Sequence, residues 1–191
     1  PHFHLSVDWR AVWRVVRTSL PRTLALSVTQ LALLALVVLA GRIAEGSIAI
    51  FTFSHNLQSV PLSIIGISYS VAAFPTLASF ASNGQTKQFH DSMMAAVRHI
   101  VFWSFPALVL FIVLRAQIVR TILGSGEFTW ADTRLTAAVM ALFVVSLVAQ
   151  ALVMLFVRGY YAAGKTAKPL IVNTISAGVI IACGYGGLVL F

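Results

Sequence analysis

The sequence predicts an all-α, polytopic integral membrane protein, a helical bundle with about five transmembrane helices that is a fragment of a larger fold. Three observations carry this. Apolar residues make up 59% of the 191 and charged residues only 9%, against about 45–50% and about 25% in an average soluble domain; mean hydropathy is +0.93. Runs free of Asp, Glu, Lys and Arg approach or exceed the roughly 20 residues that a membrane-spanning helix needs. Strand-like alternation over about ten residues is absent, and backbone groups in lipid must be paired internally, so the runs are helical. So few charges could not cover a water-soluble globule, and a disordered chain would be polar. The net charge of +8 does not point to nucleic acid, which needs a basic face on a soluble surface. The thirteen Lys and Arg lie mostly between apolar runs.

Taken in order, residues 1–19 read as an interfacial helix or linker. Val12, Val15 and Val16 share one face, Arg10, Arg14 and Arg17 the other, and Trp9 and Trp13 suit headgroup depth. No apolar core precedes Leu20, so this stretch is not a signal peptide. The first span covers about 20–41. The second, about 46–74, lies within a charge-free run that ends in the turn signal Ser82-Asn83-Gly84-Gln85, with Pro75 shortly before it. The third, about 93–122, extends past its charge-free centre, Arg98 and Arg115 snorkelling to the interfaces. Gly124 and Gly126 suit a helix stop. Thr129 and Asp132 resemble a capping box opening the fourth span, about 133–157. Gly164 closes that span and Pro169 opens the fifth, about 169–190. Cys183, the single cysteine, sits in an apolar run as a small buried hydrophobe and excludes an intrachain disulfide. The chain begins at Pro1 and ends within an apolar run, so it is expected to belong to a longer protein.

The flanking charges set an expected orientation. Arg10, Arg14, Arg17, Arg22, Lys87, Arg98, Arg158, Lys165 and Lys168 fall on one side, and Arg42, Arg115, Arg120 and Arg134 on the other. The richer side is expected to be cytoplasmic, so the chain enters the membrane from the cytoplasm.

The second span has the most informative pattern. Thr52, Asn56, Ser59, Ser63, Gly66, Ser70 and Ala73 recur at alternating gaps of four and three, all small or polar. Ile50, Phe53, Leu57, Val60, Ile64, Ile67, Val71 and Phe74 recur likewise, all large and apolar. In a membrane such a helix turns its large face to lipid and its small face to other helices or to a cavity. Ser63, Gly66 and Ser70 fit close helix packing. His55, Asn56 and Gln58 fall within one turn, and strongly polar groups inside a span face a cavity or a partner. Either use is open at this turn. Pro61 can kink the span. Gln30 in the first span also needs a polar partner. His55, Asn56, Gln58 and Gln30 are therefore the candidate substrate-binding residues. Gln150 and Asn173 are thinner candidates. No nucleophile–base pair, metal cluster or Walker-type phosphate loop occurs, the five acids being scattered; no catalytic residue, metal or cofactor is expected, and the chain is not expected to be an enzyme.

Three stretches carry a family resemblance: Gly46-Ser47-Ile48 through Pro61-Leu62, Gly66-Ile67 and Phe74-Pro75-Thr76-Leu77; Gly126-x-Phe128-Thr129-x-x-Asp132-Thr133-x-Leu135-Thr136-Ala137; and Arg158-x-x-Tyr161-Ala162-x-Gly164-x-Thr166-x-x-Pro169. With Leu20-Pro21-Arg22-Thr23 and Val28-Thr29-Gln30 they run in order along nearly the whole chain. In these the chain resembles the MurJ/MviN lipid II flippases of bacterial inner membranes, in the MATE-like exporter superfamily, and specifically the first five helices of the second lobe. The resemblance implies a MATE-like fold and translocation of lipid II, a peptidoglycan precursor, by alternating access driven by membrane potential or ions. It implies as partners an undecaprenyl diphosphate-type lipid-linked substrate, membrane lipids and the remaining transmembrane helices, with no nucleic acid. The position of the family's Asp-Arg pair in its eighth span holds His55 and Asn56, and that of an acidic residue in its seventh holds Leu36. The expected function is thus lipid II flipping across the bacterial inner membrane. The alternatives are a MATE-like or polysaccharide-precursor exporter, or a non-transporting scaffold that binds partners.

Overall fold

A computed structural model of the chain describes residues 9–123 and 129–190, which are helical apart from short turns. The helices are α1 (Trp9–Ala40), α2 (Ser47–Leu62), a π-helical turn (Ser63–Ile67), α3 (Ser68–Ser82), α4 (Thr86–Val113), α5 (Arg115–Leu123), α6 (Trp130–Val145), α7 (Leu147–Ala162) and α8 (Ala167–Leu190). Four stretches are long and apolar enough to cross a membrane: Thr23–Ala40, Ser47–Ser82, Thr86–Val113 and Ala167–Gly187. The pair α6 and α7, bent by 44°, makes a fifth if it counts as one span.

Several boundaries differ from the sequence reading. No break separates an interfacial segment from the first span, because α1 is one helix of 32 residues, about 48 Å long and so longer than a bilayer core. Residues 1–8 of the expected interfacial stretch, and Gly124 and Gly126, lie outside the described residues. Pro75 sits inside α3 instead of ending the span; burial of Leu77 two residues on holds the helix together past it. The third span stops at Val113, and α5 is a separate helix, since Arg115, Gln117 and Arg120 cannot extend a lipid-facing helix cheaply. Arg120 lies over the Trp130 ring at 4.9 Å, a cation–π contact between α5 and α6. The capping box at α6 forms in full: the Asp132 N–H donates to Thr129 Oγ1 at 3.2 Å and the Thr129 N–H to Asp132 Oδ2 at 3.0 Å. Gly84 takes the left-handed conformation, φ 68°, that its turn requires.

The chain divides into two compact units. Unit 1 comprises Pro1–Leu36 and Lys165–Phe191, unit 2 Val37–Gly164. In unit 1, α8 leaves Ile171, Val172, Ile175 and Val179 more than half exposed. Cys183 is exposed with them rather than buried, because an apolar run in a membrane helix says nothing about which side meets protein.

Unit 2 has two apolar cores. The first gathers Leu62, Ile65, Ala96, Ile100, Leu147, Ala151 and Leu155 from α2, the π turn, α4 and α7. The second gathers Val119, Ala137, Met140 and Val144, with Leu57, Leu108 and Phe111 against it, from α5, α6, α2 and α4. Gly66 belongs to the first contact: a Cβ there would lie 3.1 Å from both Cα and Cβ of Ala151, so glycine lets the π turn lie directly on α7.

The π turn also changes which face of the second span is inside. From Gly66 onward, Gly66 and Ser70 are buried while Ile67, Val71 and Phe74 are exposed, as the small-residue stripe requires. Above the turn, Ser54, Gln58, Pro61 and Leu62 are the buried residues, and the stripe positions Thr52 and Asn56, with Ser63 at the start of the turn, are exposed. A π turn bonds i to i+5 and so takes in one residue more than an α turn. One residue is about 100° of helix rotation. That rotation brings 54, 58 and 62 onto the face of 66, 70 and 77, and swings 52, 56 and 63 outward. The sequence stripe, extrapolated at a constant 3.6 period, could not register the slip.

Candidate functional site

The site is built on the upper half of the second span. Asn56 lies exposed on α2, with Thr52 and Ser63 also exposed and Ser59 half-buried. The Ser59 and Ser63 hydroxyls donate to the Asn56 and Val60 carbonyls of their own helix, at 2.6 and 2.8 Å. The result is an open polar strip along a membrane-length helix, on a side not packed by the other helices of unit 2. Polar groups do not face hydrocarbon without cost, so this strip fits a water-filled cavity or further protein.

His55 flanks the strip, half-buried. Its ring stacks on Phe51 (centroids 6.3 Å, interplanar angle 11°) and meets Phe143 of α6 edge-on (5.8 Å, 84°). Phe51 and Phe143 pack on each other at 5.4 Å and 74°. Two aromatic rings thus fix the orientation of the imidazole. Phe51 could have been paired with His55 from its spacing of four. Nothing in the sequence pointed to Phe143, more than eighty residues away.

Gln58 is fully buried, and neither end of its amide is hydrogen-bonded. One turn earlier, the buried Ser54 hydroxyl lies 2.7 Å from the Ile50 carbonyl and 3.0 Å from that of Thr136, tying α2 to α6. Of the four expected ligands, α2 therefore carries His55 and Asn56 at its open side and Gln58 among its packed neighbours. Gln30 is exposed on α1, in unit 1. A further ring pair, Tyr69 of α3 stacked on His99 of α4 at 5.9 Å and 7°, was not singled out by the sequence pattern. Among the described residues no three His, Cys, Asp or Glu side chains converge as a metal site would require.

Long apolar helices, a span with one polar open face and a buried polar tie between helices define a multi-span α-helical membrane protein. Comparison with known proteins carries this further. The family model for the lipid II flippase MurJ matches residues 3–191, and the chain belongs to that family. It is 28% identical to the probable lipid II flippase MurJ of Bdellovibrio bacteriovorus, over 86% of this chain and 32% of that protein. It is 25% identical to that of Rhizobium tropici, over 88% and 31%, and 28% identical to that of Haemophilus influenzae, over 88% and 34%. The chain thus spans about a third of the length of the curated relatives it matches. No solved structure matches it.

Proposed function

We propose that this chain forms one wall of the path by which a lipid II flippase moves its lipid-linked diphosphate cargo across the bacterial inner membrane by alternating access. The observation that carries the reading is the open polar strip at Asn56, flanked by the ring-clamped His55, in the upper half of a span where Phe53 and Val60 are exposed beside it as large apolar residues. Family membership supplies the cargo class. Asn56 offers an amide donor and His55 a ring N–H to phosphate or sugar oxygens, without the fixed charge that an Arg would bring. Gln30 is a further candidate for the same cargo. Gln58, enclosed by its own bundle, reaches cargo only if the bundle opens.

In a strain depleted of its own lipid II flippase, the full-length protein carrying His55→Ala and Asn56→Ala together should reach the membrane in normal amount and fail to restore growth. Full rescue by the double variant would remove this turn from the path.

The orientation is a second expectation. The bias of nine cationic residues against four puts the turns at Lys87 and Lys165 in the cytoplasm and that at Glu45 outside. With Cys183 replaced by Ser, single cysteines at Lys87 and Lys165 should react with an impermeant maleimide only in inverted vesicles, and one at Glu45 only in intact spheroplasts. Labelling of all three from one side would contradict the arrangement.

A further inference from the structure

We propose that unit 2 bends at a polar waist, its upper and lower halves moving as two bodies. The waist is the layer between the two apolar cores. On the second span it lies between Leu57, packed on the upper core, and Leu62 of the lower one; between them are Pro61 and the buried amide of Gln58, with neither end hydrogen-bonded. On α4 it falls where Ala107, against the lower core, gives way to Leu108, against the upper; Pro106 lies there inside the helix, and one turn away the buried Ser104 hydroxyl has no hydrogen-bond partner. On α6 and α7 it falls between Val144 of the upper core and Leu147 of the lower, at the 44° break. There the Ser146 hydroxyl donates to the Phe143 carbonyl at 2.7 Å and accepts from the Gln150 amide at 2.5 Å.

All three spans that link the halves are weakened at this one level. A proline removes a helix hydrogen bond and clashes with the turn before it, and kinks occur at prolines and π turns. Bending across one continuous, interdigitated core would break its packing; bending between two cores separates few apolar contacts. Buried polar groups without partners destabilise the closed waist, and an opening that admits water gives the Gln58 amide and the Ser104 hydroxyl their partners. The closed and bent forms are thereby brought closer in free energy than the helix packing alone would make them. The use of this motion in transport rests on the flippase reading; the bending itself does not.

The test is pulsed electron spin resonance on the full-length protein in phospholipid nanodiscs, with and without added lipid II. One nitroxide pair crosses the waist, Leu135 of α6 with Met94 of α4. Two controls stay within a half, Leu135 with Ile122 and Met94 with Val71. All four positions are exposed. The cross-waist pair should give two distances and each control one. Gln58→Leu, which replaces the unpartnered amide by an apolar side chain, should keep membrane yield and reduce the cross-waist pair to one distance. A single cross-waist distance in the wild type, with and without lipid II, would overturn the proposal, as would two distances persisting in Gln58→Leu. Two distances in the wild type whose proportions ignore lipid II would leave the hinge standing and count against the flippase reading.

Discussion

Gly66→Leu is expected to destabilise the bundle by about 1–3 kcal/mol, the usual cost of forcing a larger side chain into a packed contact. The value should fall toward the upper end. The first atom added meets Ala151 at 3.1 Å, and one of the two atoms it meets is the Cα of α7 itself. Backbone cannot swing aside as the tip of a flexible side chain can. Relief would require α7 to move off the π turn, parting Ile65 from Leu147, Ala151 and Leu155 in the lower core. Thermal unfolding in mild detergent, followed by tryptophan fluorescence or by aggregation, should show a lower midpoint and reduced membrane yield. Ile67→Leu one residue on, at an exposed site, should leave both unchanged. Equal effects at the two positions would mean that the helix face has been assigned wrongly.

Asn56→Arg is expected to be tolerated, and this expectation discriminates most sharply between the two uses of the polar strip. If other helices pack tightly over the strip, an unpaired guanidinium is buried within the span. On the insertion scale a charge at the centre of a span costs about 2.5–3.5 kcal/mol, and a cost approaching that would remove most folded protein from the membrane. If the strip lines a hydrated path for a diphosphate, the charge meets water and anion, and the planar fork of donors matches phosphate oxygens. Membrane yield of the variant should then stay within about twofold of wild type. Its affinity for undecaprenyl diphosphate should rise about tenfold or more, as expected from a charge-assisted hydrogen bond of about 1.5–3 kcal/mol.

How far the sequence could be read depended on whether the property in question was local. Apolar run lengths located the membrane helices, and Thr129 with Asp132 located the start of α6 to the residue, because a capping box is a four-residue device. Gly84 was readable in its turn for the same reason. Whatever depended on tertiary contact was not readable. Pro75 is a breaker in isolation, yet lies within α3 because Leu77 is buried among neighbouring helices. Ser146 has no breaker residue beside it, yet α6 ends there. The π turn had the largest consequence. Gly66 and Ser70 lie inside as the stripe required, but Thr52, Asn56 and Ser63 lie outside, because one extra residue in a single turn rotates everything above it. At the site, the cluster His55, Asn56 and Gln58 was visible as three polar residues in one apolar span. The separation of its members was not: the side chain of Gln58 is enclosed, that of Asn56 is open, and His55 is held between Phe51 and Phe143.

On the proposed reading, the outward-turned strip at Asn56 meets the lipid-linked cargo. The most direct measurement places a photo-crosslinking amino acid at Asn56 in the full-length protein, with Ile64 and Gln58 as comparisons, in cells whose lipid-linked peptidoglycan precursors are radiolabelled. Irradiation should give a labelled adduct at position 56 several-fold above that at Ile64, on the apolar exposed face, and at Gln58, inside the bundle. Labelling at position 56 no greater than at Ile64 would contradict the account and leave the strip as a surface covered by other helices.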